Sequence, residues 1–190
     1  MNKKLLLSSK NLKIIINRLA CQLKEVHGDF KDSVIVGLQP RGLVLSKSIK
    51  KILEEQHKIQ NLKINFLDIT FHRDDFRRDK VLNPNFNNME NDIEGKKIIL
   101  IDDVLYTGRS VRAALTAIGS YGRPSEIELL TLIDRRFSRH LPIQPDYLGR
   151  QVDAIADEKV LVHWQEEHGE DAVYIINLSL IHISEPTRPT

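Results

Sequence analysis

Apolar side chains at Leu12, Ile15, Ile16, Leu19, Ala20, Leu23 and Val26 keep the spacing that lines one face of an α-helix. Ser9 is placed to cap this helix and Gly28 to stop it. Ser33 to Leu38 is a short apolar run that leads into the tight turn Pro40-Arg-Gly42, and Leu43 to Leu53 returns to helical spacing. Leu62 to Phe71 alternates as a strand does. Arg73 to Glu94, rich in Asn and charge, has little apolar matter to bury and predicts a long mobile loop. Lys97 to Ile101 is a nearly continuous aliphatic strand. Arg109 to Tyr121 predicts a helix closed by Gly122 with Pro124 beyond it, and Glu126 to Ile133 predicts another strand.

Strands that alternate with helices, and that are aliphatic throughout, belong to a parallel sheet covered on both faces, so the predicted fold class is α/β. After Asp134 the pattern changes to short β-like pieces at Asp146–Gly149, Lys159–Trp164 and Ala172–Asn177, which predict a small β-rich cap or an extension of the sheet edge. A chain of 190 residues supports one core. Residues 1–178 are therefore read as one domain. Residues 179–190, which end in Glu185-Pro-Thr-Arg-Pro-Thr190 with nothing to pack, are read as an unstructured tail of artefactual origin.

Charge narrows the function classes. With 28 basic and 26 acidic residues the formal charge is +2, too balanced to demand nucleic acid as a partner. No apolar stretch approaches the roughly 20 residues that span a bilayer, and Met1 to Lys10 lacks the pattern of a signal peptide. Cys21, the single cysteine, is read as a small buried apolar residue. These features fit a reducing cytoplasm and no membrane partner.

The chemistry concentrates in Ile98-Ile-Leu-Ile-Asp-Asp-Val-Leu-Tyr-Thr-Gly-Arg-Ser110, which joins a buried strand to a helix through two acids and a Thr-Gly turn. In open α/β sheets, ligands bind beyond the carboxyl ends of the strands, where Asp102 and Asp103 fall. Two adjacent carboxylates repel and need solvent, a cation or a diol to donate hydrogen bonds, and a ribose presents two neighbouring hydroxyls. The backbone N–H groups from Leu105 to Ser110 open a helix whose positive end favours an anion, and Gly108 lets the backbone approach closely. An ordinary acid-capped strand and turn would share the bare spacing, but the combination favours function. A Walker phosphate loop is excluded, because no Gly-Lys-Ser/Thr run follows a Gly at the required spacing.

The segment Ile98 to Ser110 resembles the phosphoribosyl pyrophosphate signature of type I phosphoribosyltransferases. Asp68-Ile-Thr-Phe-His-Arg-Asp-Asp75, Asp102 to Arg109, Leu141-Pro-Ile143, Asp146-Tyr147 and Glu158-Lys-Val160 resemble, more narrowly, the PyrR family of pyrimidine operon regulators and uracil phosphoribosyltransferases. The likeness spans roughly Leu12 to Asn177. It implies Mg²⁺-dependent transfer of a ribosyl phosphate from phosphoribosyl pyrophosphate to uracil, with the metal carried by substrate and no dedicated protein ligands.

By the same resemblance, Asp102 and Asp103 would bind the ribose and stabilise positive charge developing on the sugar. Thr107, Gly108 and Ser110, with their backbone amides, would hold the 5′-phosphate, and Val104, Leu105, Tyr106 and Arg109 are further substrate-binding candidates. Arg41 and Gly42 would meet pyrophosphate. Arg73, in a loop from His72 to Asp92 expected to close over the site, would lie near it. Asp134 and Arg135 border the cleft, and base recognition is expected around Ile155 to Val160. The ribose-phosphate motif does not choose the base, so a purine phosphoribosyltransferase is one alternative, and an RNA-binding attenuator with little or no catalysis is the other.

The family also implies UMP-promoted binding to an mRNA leader, with Arg18, Arg112, Arg139, His140 and Arg150 as candidate contacts. Scattered arginines are equally read as solvated surface. Cys21 stands where the family tends to carry His, Gln144 where it tends to carry Arg, and Pro40 where it tends to carry Thr. The segment Arg136 to His140 is one residue longer than is usual there. These changes remove cations from the proposed RNA face and leave the phosphoribosyl motif complete. A homodimer or higher homo-oligomer is expected, with α-helical and other surface apolar groups burying a two-fold contact.

Overall fold

The computed structural model describes residues 3–69, 93–155 and 157–177. The expected loop with Arg73 and the expected tail lie outside them. The elements are β1 (Lys3–Leu7), α1 (Ser9–His27), β2 (Ser33–Gln39), α2 (Gly42–Glu55), β3 (Ile64–Asp68), β4 (Lys97–Leu105), α3 (Arg109–Ile118), β5 (Glu126–Arg136), β6 (Tyr147–Asp153), β7 (Glu158–His163), α4 (Gln165–His168) and β8 (Ala172–Asn177). Five strands form a sheet in the order β3-β2-β4-β5-β6, with every pairing parallel. A separate three-stranded antiparallel sheet, β1-β8-β7, is the cap.

The aliphatic strands read as they do because each feeds two cores. Ile35, Ile99 and Ile101 pack with Leu12, Leu19, Leu23, Leu45 and Ile49 of α1 and α2 on one face. Val34, Val36, Ile98 and Leu100 pack with Val111, Ala114 and Ala117 of α3 on the other. Alternation still exists, but both sides of it are apolar.

Several boundaries differ from the periodicity. Ser8, not Ser9, caps α1: its backbone is extended and its Oγ accepts the Asn11 N–H at 3.4 Å. Cys21 is exposed rather than buried, because it turns off the face that Leu19, Ala20 and Leu23 bury; its Sγ lies 3.6 Å from His57 Nε2. Helix α3 stops at Ile118, where the chain tightens into i→i+3 bonds from Ser120 to Ala117 and Tyr121 to Ile118. β4 runs on through the two acids to Leu105, since its ladder with β5 continues past Asp102. Of the β-like pieces, β6 extends the main sheet, whereas β7 and β8 join the N-terminal β1 in the cap.

Two glycines set close approaches. A Cβ on Gly42 would meet the Ile101 carbonyl oxygen at 2.3 Å, and one on Gly149 would meet that of Leu132 at 2.3 Å. They let α2 start against β4 and let β6 lie under α1. At the amino ends of the strands, His27 Nδ1 meets Ser33 Oγ at 2.9 Å, while its Nε2 and the Tyr147 hydroxyl both reach Glu128 Oε2, at 2.9 and 2.6 Å. Burial pushes the His27 pKa down, against the pull of Glu128. Among the described residues no helix is long and apolar enough to cross a membrane.

Candidate active site

Parallel strands put all their carboxyl ends at one edge of the sheet, and there β2, β4 and β5 open into a cavity of about 560 Å³ under the cap. Its lining includes Gln39, Pro40 and Arg41, the whole run from Asp102 to Val111, Arg135, and Glu158 to Val160. The structure thus brings together Arg41, Asp102, Asp103, Val104, Leu105, Tyr106, Thr107, Gly108, Arg109, Ser110, Arg135 and Val160. Gln39 and Val111, which carry no chemical signal in the sequence, also line it.

Asp102 and Asp103 are 8% and 5% exposed, and the Asp103 N–H donates to Asp102 Oδ1 at 2.9 Å. Burial, then the neighbouring Asp103 charge, raises the Asp102 pKa to about 8, with Arg41 opposing. Burial also raises that of Asp103, against the pull of the Arg41 guanidinium. Among the described residues, both carboxylates therefore lack enough positive or donating partners.

Beside them the chain turns at Gly108 with φ 89°, a left-handed conformation that favours glycine, and starts α3 without a side-chain cap or an acid in its first turn. That helix end is left to attract an anion. The turn is braced from outside: the His140 N–H donates to Thr107 O at 3.0 Å, and Ile143 Cδ1 would touch a Cβ on Gly108 at 3.2 Å. Helix α2 likewise begins at Arg41 with no side-chain cap, after a cis peptide between Gln39 and Pro40.

Arg135 is 5% exposed. Its guanidinium lies 4.1 Å from the Tyr106 ring centroid and Nη2 donates to Ile155 O at 3.4 Å, while Nε is buried without a hydrogen-bond partner among the described residues. It forms the cavity wall beside Glu158 to Val160.

Other expected residues fall elsewhere. Gly42 serves the packing of α2 on β4 and does not line the cavity. Asp134 faces a neighbouring cavity of about 680 Å³ and is held by Arg139 and by Gln151 Nε2 at 3.5 Å. Among the residues considered for RNA, Arg139 is engaged with Asp134 and donates from Nη1 to Tyr106 O at 2.6 Å, so with His140 it buttresses the turn before α3. Arg18 donates to Leu148 O at 3.0 Å and Gly149 O at 2.5 Å, and Arg150 to Leu6 O at 2.7 Å. Those two share a shallow groove with Ile14. Arg112 lies exposed on α3.

Comparison with known proteins adds a family to this geometry. Residues 3–170 match the phosphoribosyl transferase domain family. A "Bifunctional protein PyrR" of Picosynechococcus sp. is 42% identical over 171 residues, covering 90% of this chain and 96% of that one. That of Microcystis aeruginosa is 40% identical with the same coverage. Among solved structures, a hypoxanthine phosphoribosyltransferase from Staphylococcus aureus matches with TM-score 0.68 at 24% identity, covering 96% of this chain and 94% of that one. The hypoxanthine phosphoribosyltransferase of Trypanosoma cruzi matches with TM-score 0.68 at 14% identity, covering 92% and 96%. These two likenesses establish the fold, a type I phosphoribosyltransferase sheet under a small β cap. The chain belongs to the phosphoribosyl transferase domain family and, within it, to the PyrR family of bifunctional proteins.

Proposed function

We propose that the chain transfers ribosyl 5-phosphate from phosphoribosyl pyrophosphate to uracil, giving UMP and pyrophosphate. The observation that carries this reading is the meeting, in one cavity, of two buried carboxylates with the uncapped start of α3. A sugar diol answers the first and a 5′-phosphate the second. As the bond from C1′ to the pyrophosphate oxygen breaks, its electron pair leaves with pyrophosphate and positive charge grows on the sugar ring. Asp102 and Asp103 stabilise that charge more than they stabilise the neutral ground state. Uracil N1 then bonds to C1′ and loses its proton.

Arg41 meets the pyrophosphate side of the substrate, and Arg135, whose Nε has no partner among the described residues, and the backbone near Val160 offer donors and acceptors to the base. The raised pKa values of Asp102 and Asp103 fit a substrate that brings a bound cation with it, as a Mg²⁺ chelate of the pyrophosphate would. Mg²⁺ bound through the pyrophosphate oxygens would neutralise charge building on the leaving group. Exposed Leu5, Ile14 and Val26 on β1 and α1 support a homodimer or higher homo-oligomer, which sedimentation equilibrium would weigh.

Turnover assays with Mg²⁺ and uracil, cytosine, hypoxanthine, guanine or orotate test the reading, which requires uracil to be selected. A second activity, UMP-responsive binding to a leader RNA, is supported by the relatives' description as bifunctional. It predicts an affinity that falls steeply with salt and rises with UMP; charge association alone would show only the salt effect.

A further inference from the structure

We propose that His163 and His168 of the cap form, opposite Arg41, a binding subsite for the phosphate-rich leaving group. This inference rests on the transferase reading above. A cavity of about 280 Å³ lies between cap and core, walled by Pro40, Arg41 and Asp103 on one side and by residues from Leu161 to Trp164, Glu167 and His168 on the other. Pro40, Arg41 and Asp103 also line the main cavity, so the two spaces adjoin across the loop that opens α2. The smaller one has room for a pyrophosphate.

The two imidazoles are held in defined states by groups behind them. His168 Nδ1 accepts the Trp164 N–H at 3.3 Å, which puts the ring's proton on Nε2. His163 Nδ1 lies 3.2 Å from Glu170 Oε1, and a carboxylate only accepts, so that nitrogen carries a proton. Glu170 is fixed in turn by the Tyr174 hydroxyl at 2.9 Å and by Lys3 at 3.7 Å. The rings lie parallel, with centroids 4.3 Å apart and an interplanar angle of 9°. Neither Nε2 has a hydrogen-bond partner among the described residues.

Charge in this cavity is set by Arg41, Asp103 and Glu167 together with the imidazoles. Burial raises the Asp103 pKa and so weakens its opposition to an anion. The Glu167 side chain is 58% exposed and screened by water, and its Oε2 stands 3.9 Å from His168 Nδ1, beyond hydrogen-bond distance. An anion between Arg41 and His168 Nε2–H would tie the cap to the core and hold the departing oxygen away from C1′. The histidines form no covalent bond; His168 donates a hydrogen bond from Nε2, and protonated His163 would add another.

The test uses the full chain, with Mg²⁺–pyrophosphate, inorganic phosphate and UMP each titrated calorimetrically. His168→Asn can still accept the Trp164 N–H but removes the Nε2 donor, and His163→Gln removes the second imidazole. The double variant should bind pyrophosphate about tenfold more weakly, with UMP affinity within about twofold of wild type and an unchanged melting temperature. Unchanged pyrophosphate affinity in the folded double variant would overturn the subsite, as would equal weakening of UMP. Inorganic phosphate bound by wild type as tightly as pyrophosphate would overturn the leaving-group assignment. Failure of the transferase reading is seen separately, as wild-type protein that makes no UMP.

Discussion

Two carboxylates side by side at the end of a buried strand oppose the stability of the fold that holds them. The folded pKa of Asp102, about 8, lies above its usual 3.8. The group thus contributes stability at low pH that is lost as pH rises from about 4 through about 8. Asp102→Asn keeps the volume and the Oδ1 acceptor for the Asp103 N–H, so it should raise the substrate-free melting temperature at pH 8 by about 2–4 °C or more, and by less at pH 5. Turnover should fall about 100-fold or more, with the protein still folded. A gain in stability over wild type no larger at pH 8 than at pH 5 would contradict the electrostatic origin of the effect.

That the acids, Thr107 and Gly108 meet in one cavity was legible in the sequence, because an acid pair at a strand end and a Thr-Gly turn before a helix fall together at the carboxyl edge of a parallel sheet. The placement of Asp134 was not, since Asp134 and Arg135 are neighbours on one strand and only the sheet decides that Arg135 reaches the cavity while Arg139 and Gln151 hold Asp134 elsewhere. Cys21 misled for a related reason: an apolar residue type near a helical stripe does not say which side of the stripe it falls on.

Local periodicity located α1, α2, β2 and β8 well, because their buried faces repeat within a few residues. It missed β1, whose Lys-Lys-Leu-Leu-Leu run does not alternate and whose partner β8 lies at the other end of the chain. It also left β6 undecided between cap and sheet, a choice made by pairing with β5 and by the close approach at Gly149. The contact at Gly42 gives an element-level prediction. Gly42→Ala forces α2 away from the Ile101 carbonyl, which should cost about 1–3 kcal/mol in urea denaturation and weaken binding of phosphoribosyl pyrophosphate, because Arg41 moves with the helix start. Normal stability and affinity in that variant would show that the loop is not held by this packing.

Glu128 organises the opposite end of the sheet. Glu128→Ala leaves buried His27 and the Tyr147 hydroxyl without their shared acceptor and should cost about 2–3 kcal/mol in urea denaturation. Turnover at a temperature where the variant is folded should persist, since the network lies at the amino ends of the strands, away from the carboxyl ends where the proposed site lies. Loss of turnover in a folded variant would mean that the two ends of the sheet are coupled.

The whole molecule divides between a parallel sheet that gathers Arg41, the two acids and the turn before α3 at one edge, and a cap, assembled from β1, β7 and β8, that closes the space above them. On the proposed reading, division of this kind would leave the chemistry at C1′ to the core and the choice of base to the border with the cap, where Arg135 and Val160 stand. The most direct measurement is therefore the rate of product formation from phosphoribosyl pyrophosphate and uracil with Mg²⁺, beside the four competing bases. UMP formed selectively from uracil, and lost in Asp102→Asn, is the expected result. Turnover with a purine or orotate in preference to uracil, or an Asp102→Asn variant as active as wild type, would contradict it.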